Sequence, residues 1–195
     1  MGGGWWRRGS VLGLALAAAG CAGGKGASGG VGAEAVRPSS HRFVDGELGF
    51  TIERPDGEAW RFTPGGTAPE GIVVPVVVLH EDSGAQVVVQ VAPGIATSAE
   101  FAGRLAMGLQ SKPGFLIGDL TEGADGDSGF EFALSDLVQG RVRVQEGPDH
   151  RIFVVLGTWP ANAPAAVIRD VDAIMASLTP LVVSGPTEPA SAPGP

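Results

Sequence analysis

Two apolar runs joined by a short polar turn constrain the fold of this chain more than any other feature. Residues 72–81 read IVVPVVVLHE, and residues 86–91 read QVVVQV after a turn at 82–84. Runs this rich in valine predict a β-hairpin whose strands are buried on both faces. Pro75 places the first strand at a sheet edge or at a bulge, because proline has no N–H to donate to a central strand.

Shorter segments on either side of this hairpin predict further strands. Residues 41–44 and 48–54 are expected to pair with each other, whereas residues 56–71 are rich in Gly and Pro and predict a loop. Trp60 and Phe62 are expected to fold from that loop back onto the core. Further strands are predicted over 115–120, 130–134, 142–145 and 151–159, with either a turn or a bulge at 135–140.

Two segments have the periodicity of amphipathic helices. Residues 97–111 begin with Thr97 and Glu100 at the spacing of a capping box, and residues 163–178 end before Pro180. The order ββ–ββ–α–βββ–α predicts an α+β domain in which two helices cover an antiparallel sheet. The predicted apolar faces consist of Phe101, Ala102, Leu105, Met107 and Leu109 in the first helix and of Val167, Val171, Ile174, Met175 and Leu178 in the second.

Segments of low complexity bound this domain on both sides. Residues 21–40 are mostly Gly, Ala and Ser after the cysteine, which predicts a flexible tether. Residues 183–195 read VSGPTEPASAPGP, which predicts a disordered tail rich in proline. The folded α+β domain is therefore expected over residues 41–182, a common domain size.

Residues 1–20 have the layout of a secretory signal peptide. Arg7 and Arg8 form its positive start, residues 11–19 are apolar, and small residues lead into Cys21. The apolar part has nine residues. As a helix it would span about 14 Å, short of the roughly 30 Å hydrocarbon core of a bilayer. We therefore expect this segment to be removed rather than to remain as a membrane-spanning anchor.

The run Leu16-Ala17-Ala18-Ala19-Gly20-Cys21 resembles the lipobox of bacterial lipoproteins, with Ala18 where that family prefers leucine. The resemblance implies cleavage before Cys21, a diacylglycerol on its sulfur and often a further acyl chain on the new amino group. Several acyl chains hold a protein durably to a bilayer. The resemblance implies an envelope lipoprotein facing the periplasm, and Ala22 instead of aspartate after the cysteine favours the outer membrane over the inner.

The domain contains several short motifs: Phe43-x-Asp45, Leu48-Gly49-Phe50-Thr51-Ile52 with Pro55 and Trp60, the strand 152–156, and Ile174-Met175-Ala176-Ser177-Leu178. These motifs resemble those of the PsbP-like family of α/β/α sandwich proteins, over about residues 41–180. The family includes extrinsic proteins of photosystem II and many bacterial envelope lipoproteins. The resemblance implies binding or assembly rather than catalysis, and it brings no catalytic residue to this chain.

The charge of the chain argues against a nucleic acid partner. Its net charge is −8, and loss of residues 1–20 would leave 11 basic against 21 acidic side chains. Phosphate binding needs clustered lysine and arginine. Arg141, Arg143 and Arg151 are expected to share one sheet face, solvated and opposed by acids, although such a face could also bind an anionic partner.

Several motifs suggest chemistry that their context does not support. Residues 126–129 read GDSG, as around a protease nucleophile, but Phe130 replaces the next glycine and no histidine lies in a suitable upstream motif. His41, His80 and His150 lack the spacing of zinc ligands. We therefore expect a protein that is not an enzyme and has no catalytic residue, cofactor or metal ligand.

An acidic segment leaves a calcium site as an alternative. Glu122, Asp125, Asp127 and Asp136 could supply oxygen ligands, and Asp136 falls eleven residues after Asp125, as the last ligand of a calcium loop does. Phe130 occupies the position where that loop needs glycine, so the match fails. A solvated turn is the simpler interpretation.

The preferred hypothesis is a non-catalytic envelope lipoprotein that binds a protein partner. The contact would be a sheet face or a cleft beside Trp60. Trp60 and Trp159 are candidates for that surface, although core packing is the commoner role for such residues. The alternatives are a periplasmic protein that binds a ligand or a metal such as Ca²⁺, an enzyme whose site is assembled from scattered residues, and a passive spacer.

Overall fold

The computed structural model describes residues 41–67 and 72–182. The predicted signal peptide, lipidated Cys21, tether and proline-rich tail lie outside the described residues. The elements are β1 (Arg42–Asp45), β2 (Phe50–Glu53), β3 (Trp60–Thr67), β4 (Val73–His80), β5 (Gln86–Pro93), α1 (Ser98–Gln110), β6 (Phe115–Ile117), β7 (Thr121–Glu122), β8 (Ser128–Leu134), β9 (Val138–Gly147), β10 (Arg151–Pro160), α2 (Ala165–Ala176) and β11 (Thr179–Pro180).

Most of the strands form one antiparallel sheet, here called the large sheet. Its order is β3-β4-β5-β10-β9-β8-β6, and β7 also pairs with β8. Strands β1, β2 and β11 form a second, small sheet with β2 in the middle. Together with the two helices, these sheets confirm the predicted α+β class.

Strand β10 lies at the centre of the large sheet, between β5 and β9. It is an almost continuous apolar strand because both of its faces are buried. Ile152, Val154 and Leu156 pack against the core beneath α1. Phe153 and Val155 pack on the other side, with residues of α2 and the small sheet. We call these the α1 face and the α2 face of the large sheet.

Helix α1 confirms the predicted capping box. The Thr97 side chain accepts a hydrogen bond from the backbone N–H of Glu100, whose carboxylate accepts from the N–H of Thr97. Ala102, Leu105 and Leu109 are buried, as their spacing predicts. The assignment of Met107 to that face is wrong, because its side chain is 64% exposed. At 3.6 residues per turn, position 107 points away from the stripe that contains 105 and 109.

Helix α2 confirms its predicted apolar face, since Val167, Val171, Ile174 and Met175 are all buried. Its close approach to the sheet depends on Gly157 of β10. A Cβ atom at that position would lie 2.6 Å from Val171 Cγ1 and 2.6 Å from Met175 Sδ. Glycine in a strand is typical of such a close approach. Within the described residues, no helix combines the length and apolarity needed to cross a membrane.

The loop predicted over 56–71 is wrong, because β3 occupies half of it. Trp60 is opposite His80 of β4, and the pairing continues to Thr67 opposite Val73. Pro64 is tolerated because β3 is an edge strand of the large sheet.

The structure also decides between the two alternatives for Pro75, a sheet edge and a bulge. Strand β4 pairs on both sides, and its register with β5 shifts between Val73 and Val76, which is a bulge rather than an edge.

Two further elements complete the comparison with the predicted strands. Strand β11 was not predicted, and it pairs with β2 through Thr179 opposite Thr51. Strands β8 and β9 are joined by a turn at 135–137 rather than by a bulge, since the N–H of Leu137 donates to the carbonyl oxygen of Leu134. Ser135 adopts a φ of 50° in this turn.

Candidate functional site

One half of the large sheet is covered on its α1 face and open on its α2 face. Helix α1 packs on β6, β8 and β9, whereas α2 packs on β10, β5 and β2. On β6, Phe115 and Ile117 join the core beneath α1, and Leu116 between them is 71% exposed. Side chains that alternate with the buried ones therefore face outward on this half of the sheet.

The strand register arranges this open face in three rows. Ala133 lies between Leu116 and Gln139, and Gly129 lies between Thr121 and Arg143. The row between them holds Glu131 and Arg141, which are directly opposite each other. We define the open face by these residues: Leu116, Ala133, Gln139, Glu131, Arg141, Thr121, Gly129 and Arg143.

A groove runs along the open face beside α2, with a volume of ≈ 530 Å³. The segment 121–127 forms one side, Asp172, Met175 and Ala176 of α2 form the other, and Arg141 and Arg143 of β9 lie on its floor. The groove is thus bounded by three separate parts of the chain. The shape of the groove therefore depends on the contacts that join the segment 121–127, α2 and β9.

Arg143 connects all three parts. Its Nε donates to Asp127 Oδ2 at 2.5 Å, and its Nη1 donates to the carbonyl oxygen of Met175 at 3.3 Å. The side chains of Arg143 and Asp127 are 25% and 18% exposed, so this ion pair is partly shielded from water. Shielding from water strengthens the attraction between the two charges. Removing one of the two side chains alone is costly, because the other charge is then left partly buried without its partner.

Arg141 is held by two carboxylates and one aromatic ring. Its Nε donates to Glu131 Oε1 at 2.8 Å, and its Nη1 donates to Asp172 of α2. Its guanidinium carbon lies 5.6 Å from the centre of the Trp159 ring, a cation–π arrangement. The hydrogen bond to Asp172, assisted by Glu131, raises the pKa of Arg141 above its ordinary value. Arg141 is therefore a fixed positive charge that orients its acidic neighbours.

The acidic residues considered for calcium do not converge. Glu122, Asp125 and Asp127 lie on one side of the groove, and Asp127 is already engaged by Arg143. Asp136 lies in the turn after β8, at the far end of that strand from Asp127. In the described part of the chain, no group of three or more His, Cys, Asp or Glu residues is placed to hold a metal ion.

The GDSG segment has a structural role at the start of β8. Ser128 is buried, with its Oγ 3.3 Å from Ser98 Oγ, and Ser98 Oγ donates to the carbonyl oxygen of Gly126 at 2.6 Å. The segment is therefore attached to the first turn of α1. Two of the three histidines contact other groups through their rings, since His41 Nδ1 lies 4.0 Å from Asp56 Oδ1 and His80 Nδ1 accepts from the N–H of Ser83. His150 lies in the turn between β9 and β10, where its carbonyl oxygen accepts from the N–H of Gly94.

The two tryptophans belong to the core. Trp60 is 2% exposed and its indole N–H donates to Asp170 Oδ2 at 3.1 Å. Trp159 is also buried, and its N–H donates to Gln139 Oε1 at 3.2 Å. Trp60 and Trp159 are therefore core residues and not exposed contact residues, and the other expected contact surface was a sheet face. Arg151 lies apart from the groove, where it donates to the carbonyl oxygen of Glu47.

We expect the Asp127–Arg143 pair to stabilise the protein more than an exposed pair does. A double-mutant cycle with Asp127→Asn and Arg143→Gln should give a coupling energy of about 1 kcal/mol or more, because both groups are partly buried. Arg61 and Glu81 are 2.8 Å apart and 60% and 48% exposed. The same cycle there should give about 0.5 kcal/mol or less. Urea unfolding measures both, and equal coupling energies would contradict the assigned role.

The large antiparallel sheet lies between α1 on one face and α2 with the small sheet on the other. Seventeen chains of solved structures match this chain in fold. They include the solution structure of cyanobacterial PsbP (CyanoP) from Synechocystis sp. PCC 6803, with a TM-score of 0.50 and 16% sequence identity over 80% of this chain and 98% of that chain.

The likeness to CyanoP confirms the predicted PsbP-like fold and, at this identity, shows the fold alone. In sequence, no known protein family matches the chain. No curated protein matches it either.

Proposed function

We propose that this chain is a cell-envelope lipoprotein, anchored by lipid on Cys21, whose PsbP-like domain binds a protein partner without catalysing a reaction. The signal-like residues 1–20 and the lipobox-like run before Cys21 support the anchor. The open face supports the binding role, and it is the observation on which the proposal depends. Residues 21–40 would act as the tether between the two.

The open face has the composition of a binding surface. Leu116 and Ala133 give it an apolar patch in one outer row, and Glu131, Arg141 and Arg143 give it charged side chains in the other two rows. Protein interfaces commonly combine apolar contacts with polar and charged ones. The ion pairs of Arg141 and Arg143 hold these charged side chains in place before a partner arrives, which lowers the ordering cost of association.

Site-specific photo-crosslinking in intact cells tests this function. A photoreactive amino acid at Leu116 of the full chain should form an adduct with another protein. The matched control is Met107 of α1, which is 64% exposed against 71% for Leu116 but lies on the opposite side of the large sheet. We expect little or no adduct from position 107. Absence of an adduct at 116, or equal adducts from both positions, would contradict the proposal.

A further inference from the structure

We infer that the partner reaches the open face with a basic segment, in which a lysine or arginine lies a few residues from an apolar side chain. This inference rests on the proposed function and specifies the chemistry of the partner. It follows from the charge of the groove, from the position of Leu116 and Ala133 on the open face and from the distance between these two features.

The charges around the groove do not cancel. Five carboxylates, those of Glu122, Asp125, Asp127, Glu131 and Asp172, are set against the guanidinium groups of Arg141 and Arg143. Asp127, Glu131 and Asp172 are engaged by the two arginines. The groove therefore carries an excess of negative charge with both of its cations already paired.

The remaining two carboxylates lie at the rim. Glu122 and Asp125 are exposed on the segment 121–127, and neither forms an ion pair within the described residues. A lysine or arginine of a partner can reach them without displacing any contact of the fold. An anionic group would instead approach the two guanidinium groups against the excess of negative charge around them.

The distance between Leu116 and the rim acids determines how far apart the apolar side chain and the cation lie in the partner's segment. Leu116 lies in the row of Gln139, and the rim acids lie beside the row of Arg143. These rows are four residues apart along β9, which is about 13 Å at roughly 3.3 Å per residue. An extended segment would therefore place its apolar side chain and its cation about four residues apart.

The net charge of the chain also favours a basic partner. It is −8 overall, so the protein attracts a basic partner before contact and repels an acidic one. Such steering raises the association rate and suppresses partners of the wrong charge. The rim acids then decide where on the surface the basic segment comes to rest.

The test combines crosslinking with a matched change of charge. The full chain carrying the photoreactive residue at Leu116 is compared with and without Glu122→Gln and Asp125→Asn. We expect the adduct to fall about tenfold, because two favourable charge contacts are lost. The control chain carries Glu58→Gln and Asp82→Asn, which remove the same charge from exposed positions in other loops. It should retain its adduct.

The partner peptide in the adduct provides a second readout. Mass spectrometry should find a lysine or arginine within about four residues of the crosslinked position. If the adduct survives the rim substitutions unchanged, or if it increases, the basic segment is refuted while the proposed function stands. If the unsubstituted chain gives no adduct at 116, both fail. An adduct with lipid instead of protein would also refute the inference.

Discussion

Replacing Cys21 with serine is expected to abolish lipid attachment completely and to leave residues 1–20 on the chain. The thioether of a lipoprotein needs the sulfur of cysteine, and the lipobox resemblance implies that cleavage follows acylation. Without its acyl chains the protein loses about 0.8 kcal/mol of membrane attraction for each buried CH₂. Labelling of cells with a palmitate analogue, followed by mass spectrometry of the intact chain, measures both the lipid and the first residue.

The single cysteine makes a clean control available. Cys21→Ser combined with Ser28→Cys keeps one thiol in the predicted tether but moves it away from the lipobox-like run. This double variant should remain unlabelled, as Cys21→Ser does. Labelling at position 28, or an unsubstituted chain that still begins at Met1 with a bare thiol, would contradict the proposed anchor.

Replacing Phe153 with alanine is expected to lower the free energy of unfolding by about 3–5 kcal/mol, the usual cost of deleting a buried phenylalanine. Phe153 is 0% exposed and lies in β10, the central strand of the large sheet. Its ring centre lies 5.8 Å from that of Phe50, so it joins the large sheet to the small one. Urea unfolding of the purified protein, with the midpoint and slope compared, measures the change.

Leu116 is the matched residue for this experiment, since it is also a large apolar side chain in the large sheet. Because it is 71% exposed, Leu116→Ala should change the free energy of unfolding by no more than about 0.5 kcal/mol. A loss comparable with that of Phe153→Ala would mean that Leu116 is buried in the folded protein. The open face, and the function proposed for it, would then be wrong.

Elements specified by local pattern were the predictable part of the fold. The capping box at Thr97 and Glu100 and the valine-rich hairpin are signals contained within a few residues, and both are present. The predicted burial of the hairpin on both faces is wrong for β4, because only Val76 and Val78 of that strand are buried and the residues between and beside them are not. Strand β3 was missed because Pro64-Gly65-Gly66 has the composition of a loop. Its strand conformation comes from pairing with β4, which is a tertiary effect.

The candidate site was predictable only in part for a similar reason. Alternation along β9 indicates that Arg141 and Arg143 share a face. It does not identify Asp172, because that residue is 31 positions away and reaches Arg141 only when α2 lies on Gly157. The exposure of Leu116 was also hidden, since a short strand does not reveal which of its faces another layer will cover.

The small sheet brings the two ends of the folded region together. Strands β1 and β11 flank β2, and Val44 and Thr179 both lie opposite Thr51, so these two residues are separated by about 10 Å, twice the spacing of neighbouring strands. The packing of the domain therefore does not depend on β1 being the first strand along the chain. A circular permutant that joins these ends and opens in the turn at 135–137 keeps every strand pair of both sheets intact. In such a molecule the chain begins at the turn between β8 and β9, at the far end of β8 from Asp127.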